Sequence, residues 1–429
     1  MTMLIVMLVI FAILLVIELP VAYAMLGSAV AYILLDGTFS LTILLQRMAP
    51  GLESFPFLAI PTFILAGNLM NQAGLAERIF AFALALVGHI RGSLAHVNVL
   101  ASTIFAGMSG VAAADAAGLG AIEVRAMRKA GFPAPFSAAI TASSSIIGPI
   151  IPPSVIMVIY AVMAQVSIGD MFLAGIIPGL LMATLLMVTV YLLAVTGRVN
   201  VPVRSRASVG DIGRTFIRAL PAIFAPLLLI GGLLLGVVAT PTELGALTCA
   251  YAMVLGLFYR SLDWRRLHFA LRETAVSCGM ILFLIAVGIP FGWIIAVNNL
   301  PAILTESILG ISADPLTVLL IVAGGLFIAG MVMEPTPILL IAVPMLYPLI
   351  QTVGIDPIQF GVVVVLTVVI GITTPPVGMI LFIMMDVAKV SMRELCVALA
   401  PFYLSLLALL GLLILIPELT TFLPNLLGG

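Results

Sequence analysis

Charge is what this chain most lacks. Only 8% of its 429 residues are Asp, Glu, Lys or Arg, while 63% are hydrophobic; a soluble domain carries about 25% charged residues. Mean hydropathy is +1.34. So little charge cannot solvate a globular surface, and the composition fits a polytopic membrane protein with room for roughly a dozen crossings of about 20 residues. The net charge of −1 gives no electrostatic case for a nucleic-acid partner. Cysteine is scarce. Cys249, Cys278 and Cys396 are scattered through apolar stretches and form neither a metal spacing nor a disulfide framework. His89, His96 and His268 form no metal spacing either. No Gly-x-x-x-x-Gly-Lys-Ser/Thr loop occurs, so ATP hydrolysis has no seat. No base is placed near Ser143, Ser144 and Ser145, which counts against an intramembrane hydrolase. No Lys or Arg precedes Arg47. The apolar N-terminus therefore lacks the basic region of a secretory signal and reads as an uncleaved first helix.

What the chain has is apolar runs, near 2–18, 20–36, 55–73, 97–122, 134–163, 171–196, 219–239, 243–259, 275–296, 315–349, 357–385 and 397–417. Basic residues cluster between them: Arg78 with Arg91, then Arg125, Arg128 and Lys129, then Arg198 to Arg218, Arg260 to Arg272, and Lys389 with Arg393. Such clusters mark the cytoplasmic side. One topology puts every basic residue except Arg47 inside. It requires 97–122 and 315–349 each to enter and leave on the same side, as one hairpin from each face. It lays 77–90 along the cytoplasmic surface and places both termini outside.

Sliding the chain against itself by 223 residues reveals a repeat. Ala106, Gly107 and Met108 fall on Ala329, Gly330 and Met331, and Gly131 falls on Gly354. Ile147 and Gly148 fall on Ile370 and Gly371, and Pro152 and Pro153 on Pro375 and Pro376, without a gap. The charge pattern separately gives the two hairpins opposite entry sides, as an inverted repeat requires. Hairpin then interrupted helix, twice and inverted, sets two broken helices near one midplane.

The breaks are "SSSIIGPIIPPS", from Ser143, and "GITTPPVG", from Gly371. In hydrocarbon every backbone polar group needs a partner, and proline removes a donor and frees carbonyls. Freed carbonyls with Ser or Thr hydroxyls suit a dehydrated alkali cation, because hard cations prefer oxygen. Half-helix N-termini offer N–H groups to an anionic substrate. Gly, Ser and Pro also serve close packing and kinks in membrane helices; recurrence at matched positions behind matched hairpins weighs against packing alone. The first hairpin tip holds Ser109, Gly110 and Asp115, the second Glu334, Pro335 and Thr336. Intramembrane carboxylates are costly and functional by default. For Asp115 two readings stand, an ion ligand or a cap on the second arm; Glu334 is either functional or water-facing. Ser144 aligns with Thr367, so each either backs a break through its hydroxyl or bonds its own helix.

"IFAGMSGVAAADAAGLGAI", "SAAITASSSIIGPIIPPS", "ATPTELGAL" and "GIDPIQFGVVVVLTVVIGITTPPVGMILF" together resemble the large membrane subunit of tripartite ATP-independent periplasmic (TRAP) transporters. The likeness runs across most of the chain. Glu123 and Arg125 depart from it, since apolar residues are more usual there; Arg125 reads as a cytoplasmic gate or a flank anchor. The resemblance implies an all-α inverted-repeat elevator carrier of the ion transporter superfamily. Scaffold helices and an interfacial arm would occupy 1–96, the first transport repeat 97–165, connecting helices 171–310, the second transport repeat 311–390, and a last helix 397–429. It implies sodium-coupled uptake of a carboxylate solute across a bacterial inner membrane, without ATP and with both termini periplasmic. The implied partners are a periplasmic substrate-binding protein and a small four-helix membrane subunit. One sodium site would lie at Ser109 and Gly110 with the break from Ser143 and Ser144 to Gly148 and Pro149. The other would lie at Pro335 and Thr336 with Gly371, Thr373 and Thr374. Substrate would sit near Ser145, Pro152 and Thr374. The competing expectation is a self-sufficient sodium/dicarboxylate symporter of the same superfamily.

Overall fold

The computed structural model describes residues 2–199, 205–234 and 240–427. Arg204 in the third basic cluster, the end of the apolar run 219–239, and Gly429 lie outside them. The first half runs α1 (Thr2–Val16), α2 (Val21–Asp36), α3 (Thr42–Leu52), a 3-10 turn (Phe55–Leu58), α4 (Ala59–Gln72) and α5 (Leu75–Val87). It continues with α6 (Leu94–Ser109), α7 (Ala112–Ala117), α8 (Leu119–Lys129), α9 (Ala134–Ser145), α10 (Val155–Ala164) and α11 (Ile168–Val195). The second half runs α12 (Val209–Leu234), α13 (Pro241–Phe258), α14 (Trp264–Val297), α15 (Leu300–Leu309), α16 (Pro315–Gly330) and α17 (Pro335–Val353). It ends with α18 (Pro357–Gly371), α19 (Met379–Ala388), α20 (Met392–Leu415) and α21 (Glu418–Leu427). No strand occurs among the described residues.

Local chemistry sets the boundaries. Thr240 with Glu243 and Ser391 with Glu394 form capping boxes that start α13 and α20. Asp356 caps α18, accepting from the amides of Ile358 at 2.8 Å and Gln359 at 3.0 Å. Gly131 after α8 and Gly354 after α17 hold left-handed backbone, φ +89° and +73°, which a Cβ disfavours. These two turns are the glycines that the repeat superposes.

Six helices are long and apolar enough to cross a bilayer: α11, α12, α13, α14, α17 and α20. The chain is therefore a multi-pass membrane protein. Fewer helices qualify than the apolar runs suggest, partly because α9 with α10 and α18 with α19 are broken into halves, and partly because α1, α2, α4, α6 and α16 are only 14–16 residues long. The run 97–122 folds back on itself as α6, α7 and α8, and the run 315–349 as α16 and α17. Ile5, Val9 and Ile13 on α1, Val254 and Leu257 on α13, and Val397 and Leu404 on α20 are exposed, as a lipid-facing surface requires. Segment 77–90 falls within and just after α5, which packs against α6 and α12. The Arg78 guanidinium of α5 stacks 3.6 Å from the Tyr259 ring at the end of α13.

The 223-residue offset proves wider than its sequence matches. It registers α6 on α16, α7 and α8 on α17, α9 on α18, α10 on α19 and α11 on α20. It also sets α2 on α13, α3 and α4 on the two parts of α14, and α5 on α15. Packing follows the same exchange. The half-helix α10 lies on α17, the second arm of the second hairpin, and α19 lies on α7 and α8, the second arm of the first. Residues 136–145 of α9 and 359–371 of α18 are buried on every side, so the broken helices form the centre of the molecule.

Candidate ion and substrate site

Each hairpin tip rests on a break. In the first half α6 ends at Gly110, φ +65°, and a Cβ there would stand 2.3 Å from the Pro153 carbonyl oxygen. Only glycine lets the tip seat so closely. The Ser109 hydroxyl donates to Asp115 Oδ1. Asp115 Oδ2 packs on Gly148, where a Cβ would come within 2.3 Å. Ser109, Gly110, Asp115 and Gly148 are thus brought together. Asp115 does not cap the second arm: Val111 is the N-cap of α7 and no side chain caps it, and the carboxyl faces the tip serine instead. Ser154 caps α10 by accepting from the Met157 amide at 3.2 Å, and its hydroxyl donates to the Pro149 carbonyl at 2.6 Å. The carbonyls of Gly148, Pro152 and Pro153 accept no hydrogen bond among the described residues. Proline at 149, 152 and 153 explains part of this, since the missing N–H groups leave the chain unable to close regular turns.

The three serines behave differently. Ser143 donates to the Ala139 carbonyl at 2.9 Å and Ser145 to Ala142 at 2.9 Å, both within α9. Ser144 donates at shorter range to Asn98 Oδ1 on α6, 2.7 Å away, than to the Thr141 carbonyl of its own helix at 3.2 Å. Its repeat equivalent Thr367 bonds its own helix, at Val363, 2.7 Å. Ser145 and Pro152 are buried, and Ile150 and Ile151 press on Gly175 and Gly179 of α11.

In the second half the tip carbonyl of Met331 accepts from the amides of Val377 at 3.2 Å and Gly378 at 3.0 Å. Gly330 and Gly371 touch backbone to backbone, a Cβ on Gly371 falling 2.7 Å from Gly330. Thr373 and Thr374 both donate to the Ile370 carbonyl, at 2.7 and 2.9 Å. The Tyr403 hydroxyl of α20 donates to the Thr373 carbonyl. Pro335 and Thr336 are buried at the start of α17, whereas Glu334 is exposed and lines a cavity of about 590 Å³ with Tyr23, Phe283, Met331 and Val377. A cavity of about 100 Å³ lies at the first tip, lined by Asn68, Asn71, Ser109 and Ser277. Both cavities abut α14. The repeats differ in exposure: the first break is fully buried, while Pro375, Pro376 and Val377 of the second are exposed.

Asn98, Ser102, Thr141 and Tyr403 carried no signal in sequence as site-forming residues. Glu123 stood out only as a departure from the family pattern, and Ser154 as a Ser directly before a resumed apolar run.

Residues 8–419 match the family described as "Tripartite ATP-independent periplasmic transporter, DctM component". The chain is 40% identical over 412 residues to the sialic acid TRAP transporter large permease protein SiaM of Vibrio cholerae, covering 96% of each chain. It is 37% identical over 404 residues to the 2,3-diketo-L-gulonate TRAP transporter large permease protein YiaN of Escherichia coli, covering 94% of each. To the C4-dicarboxylate TRAP transporter large permease protein DctM of Pseudomonas aeruginosa it is 36% identical over 377 residues, 88% of each. Its fold is that of the YdaH transporter of Alcanivorax borkumensis, whose crystal structure has an unusual topology, with TM-score 0.64, 14% identity, and 87% of this chain and 88% of that one covered.

Proposed function

Because the chain belongs to the DctM component family of tripartite ATP-independent periplasmic transporters, we propose that it carries a carboxylate solute inward, driven by sodium. The observation that carries the reading is the pair of hairpin tips seated on two broken helices at one offset. The first pair combines free carbonyls, hydroxyls and the Asp115 carboxyl, and the second brings the Thr373 and Thr374 hydroxyls to the tip carbonyl of Met331. Oxygen donors of this kind suit a dehydrated alkali cation. Two sodium ions, one at each tip and break, would draw the solute carboxylate to the half-helix amides of α10 and α19 between them. Relatives named for sialic acid, 2,3-diketo-L-gulonate and C4-dicarboxylates all concern carboxylates, which supports the substrate class.

Movement would follow the elevator scheme. The hairpins and broken helices, mutually packed, travel as one body against α2, α4, α13 and α14. The partners are a small four-helix membrane subunit and a periplasmic binding protein that delivers the solute to the outer face of the inner membrane. Uptake in proteoliposomes tests all three terms. It is expected to need an inward sodium gradient, the small subunit and loaded binding protein, and to stop when any one is omitted. Sodium-driven uptake of free solute without a binding protein would instead establish a self-sufficient symporter. Uptake driven by ATP with sodium collapsed would overturn the proposal.

A further inference from the structure

Glu123 belongs to neither tip nor break. It stands on α8 with 0% of its surface exposed. Its Oε2 accepts from Asn98 Nδ2 at 2.7 Å, and the same nitrogen donates to Thr141 Oγ1 at 2.7 Å. Asn98 Oδ1 accepts from Ser144 Oγ at 2.7 Å. The Ser102 hydroxyl lies beside the carboxyl but donates to Ser144 at 3.1 Å. Glu123 Oε1 is buried with no hydrogen-bond partner among the described residues.

An ionised carboxylate with one oxygen unpaired and sealed from water is a costly state, relieved by a cation or by a proton. A metal ion does not suit this cluster. Apart from Glu123 Oε1, its oxygens are already joined to one another or to the Asn98 amide at 2.7–3.1 Å, and gathering them around a metal would break those bonds. Both protons of the Asn98 amide are committed, so none is free for Oε1. A proton on Oε1 needs no rearrangement. We propose that Glu123 is a proton-binding site linked to the cation site at the first break through Asn98 and Ser144. The proposal rests on the carrier reading and adds a second ion to it.

Ser144 sits in the break and in the Glu123 network at once, so the two occupancies share a member. With the proton off, Glu123 adds a negative charge near the break and strengthens its hold on sodium. With the proton on, that charge is gone. Sodium binding therefore expels the proton, and protonation weakens sodium binding by the same factor. The elements packed on α8 are α6, α7, α9 and α19. α9 carries no titratable side chain. α6 carries His96, whose Nε2 lies 2.9 Å from the Arg91 carbonyl oxygen, and α19 carries Asp386, exposed and paired with Lys389 at 2.6 Å. On α8 itself Arg125, Arg128 and Lys129 are exposed, Arg128 donating to the Ala388 carbonyl at 3.3 Å. Asp115 on α7 is the one buried carboxyl among them, and it accepts from the Ser109 hydroxyl.

The sodium concentration for half-maximal uptake, measured in proteoliposomes across a pH series, tests the link. In the wild-type protein it rises as pH falls, by up to about tenfold per unit where one proton competes. Glu123→Gln, a neutral replacement of the same shape, keeps uptake, loses the pH dependence, and sits at the low-pH wild-type value. Adding sodium to the purified chain in weakly buffered detergent, with a pH-indicating dye, gives a readout independent of transport. The wild type releases protons and Glu123→Gln releases fewer. A flat wild-type pH profile, or an unchanged profile in Glu123→Gln, overturns the proposal. So does absence of proton release from the wild type, even where the variant does not fold. Failure of wild-type uptake under every sodium gradient fails the carrier reading instead, and the dye measurement still decides the proton site.

Discussion

Gly110 and Gly131 both hold left-handed backbone, at φ +65° and +89°, yet they bear different loads. A Cβ on Gly131 meets nothing within 4 Å, whereas on Gly110 it strikes the Pro153 carbonyl oxygen at 2.3 Å. Gly131→Ala carries only left-handed strain, about 1–2 kcal/mol. Gly110→Ala adds an overlap of about 1–3 kcal/mol and lifts the tip from the break. Thermal unfolding in detergent is expected to fall further for Gly110→Ala, with uptake lost there and kept in Gly131→Ala. Equal shifts for the two variants would mean that the tip is not seated as described. Both glycines were singled out in sequence, one by the repeat and one by its place at a tip. Their difference was not, because a close approach is made by a residue 43 positions away in the chain, Pro153 to Gly110.

Among elements, α20 reaches into the second break. The Tyr403 hydroxyl holds the Thr373 carbonyl, while the other anchor of that break is the Met331 carbonyl. Tyr403→Phe removes one bond of net worth about 0.5–1.5 kcal/mol and leaves a carbonyl without its donor. Amide hydrogen exchange across 372–380 is expected to quicken, with no change across 146–154. If exchange is unaltered, the tip alone holds the break. Tyr403 lay in an apolar run that reads simply as a last helix. Nothing in its spacing could show that α20 packs on α18 and α19. The breaks themselves were plain in sequence, since clustered Gly and Pro interrupt a helix wherever they fall.

For the whole molecule, the inverted repeat makes a claim about sides. Lys129 and Thr352 are equivalent under the offset and both are exposed. With Cys249, Cys278 and Cys396 replaced, a single cysteine at Lys129 is expected to react with a membrane-impermeant reagent only from the cytoplasm. One at Thr352 is expected to react only from outside. Reaction of both from the same face would exclude inversion and, with it, the periplasmic placement of both termini.

Hydropathy, charge placement and proline position are properties of the chain read in one dimension. They act locally and add up, so the membrane class, the two hairpins, the two broken helices and the repeat that relates them are legible from residue order alone. Hydrogen-bond partners and burial are set by segments that meet only after packing. Ser144 turns to Asn98, 46 residues away, while its equivalent Thr367 stays within its own helix. Asn98 in turn meets Glu123 across 25 residues. Folding also decided that α11 closes over the first break while the second stays open. Two similar sequences thereby acquire different surroundings, because the equivalent helices α11 and α20 meet the two breaks through different contacts, Gly175 and Gly179 on one and Tyr403 on the other.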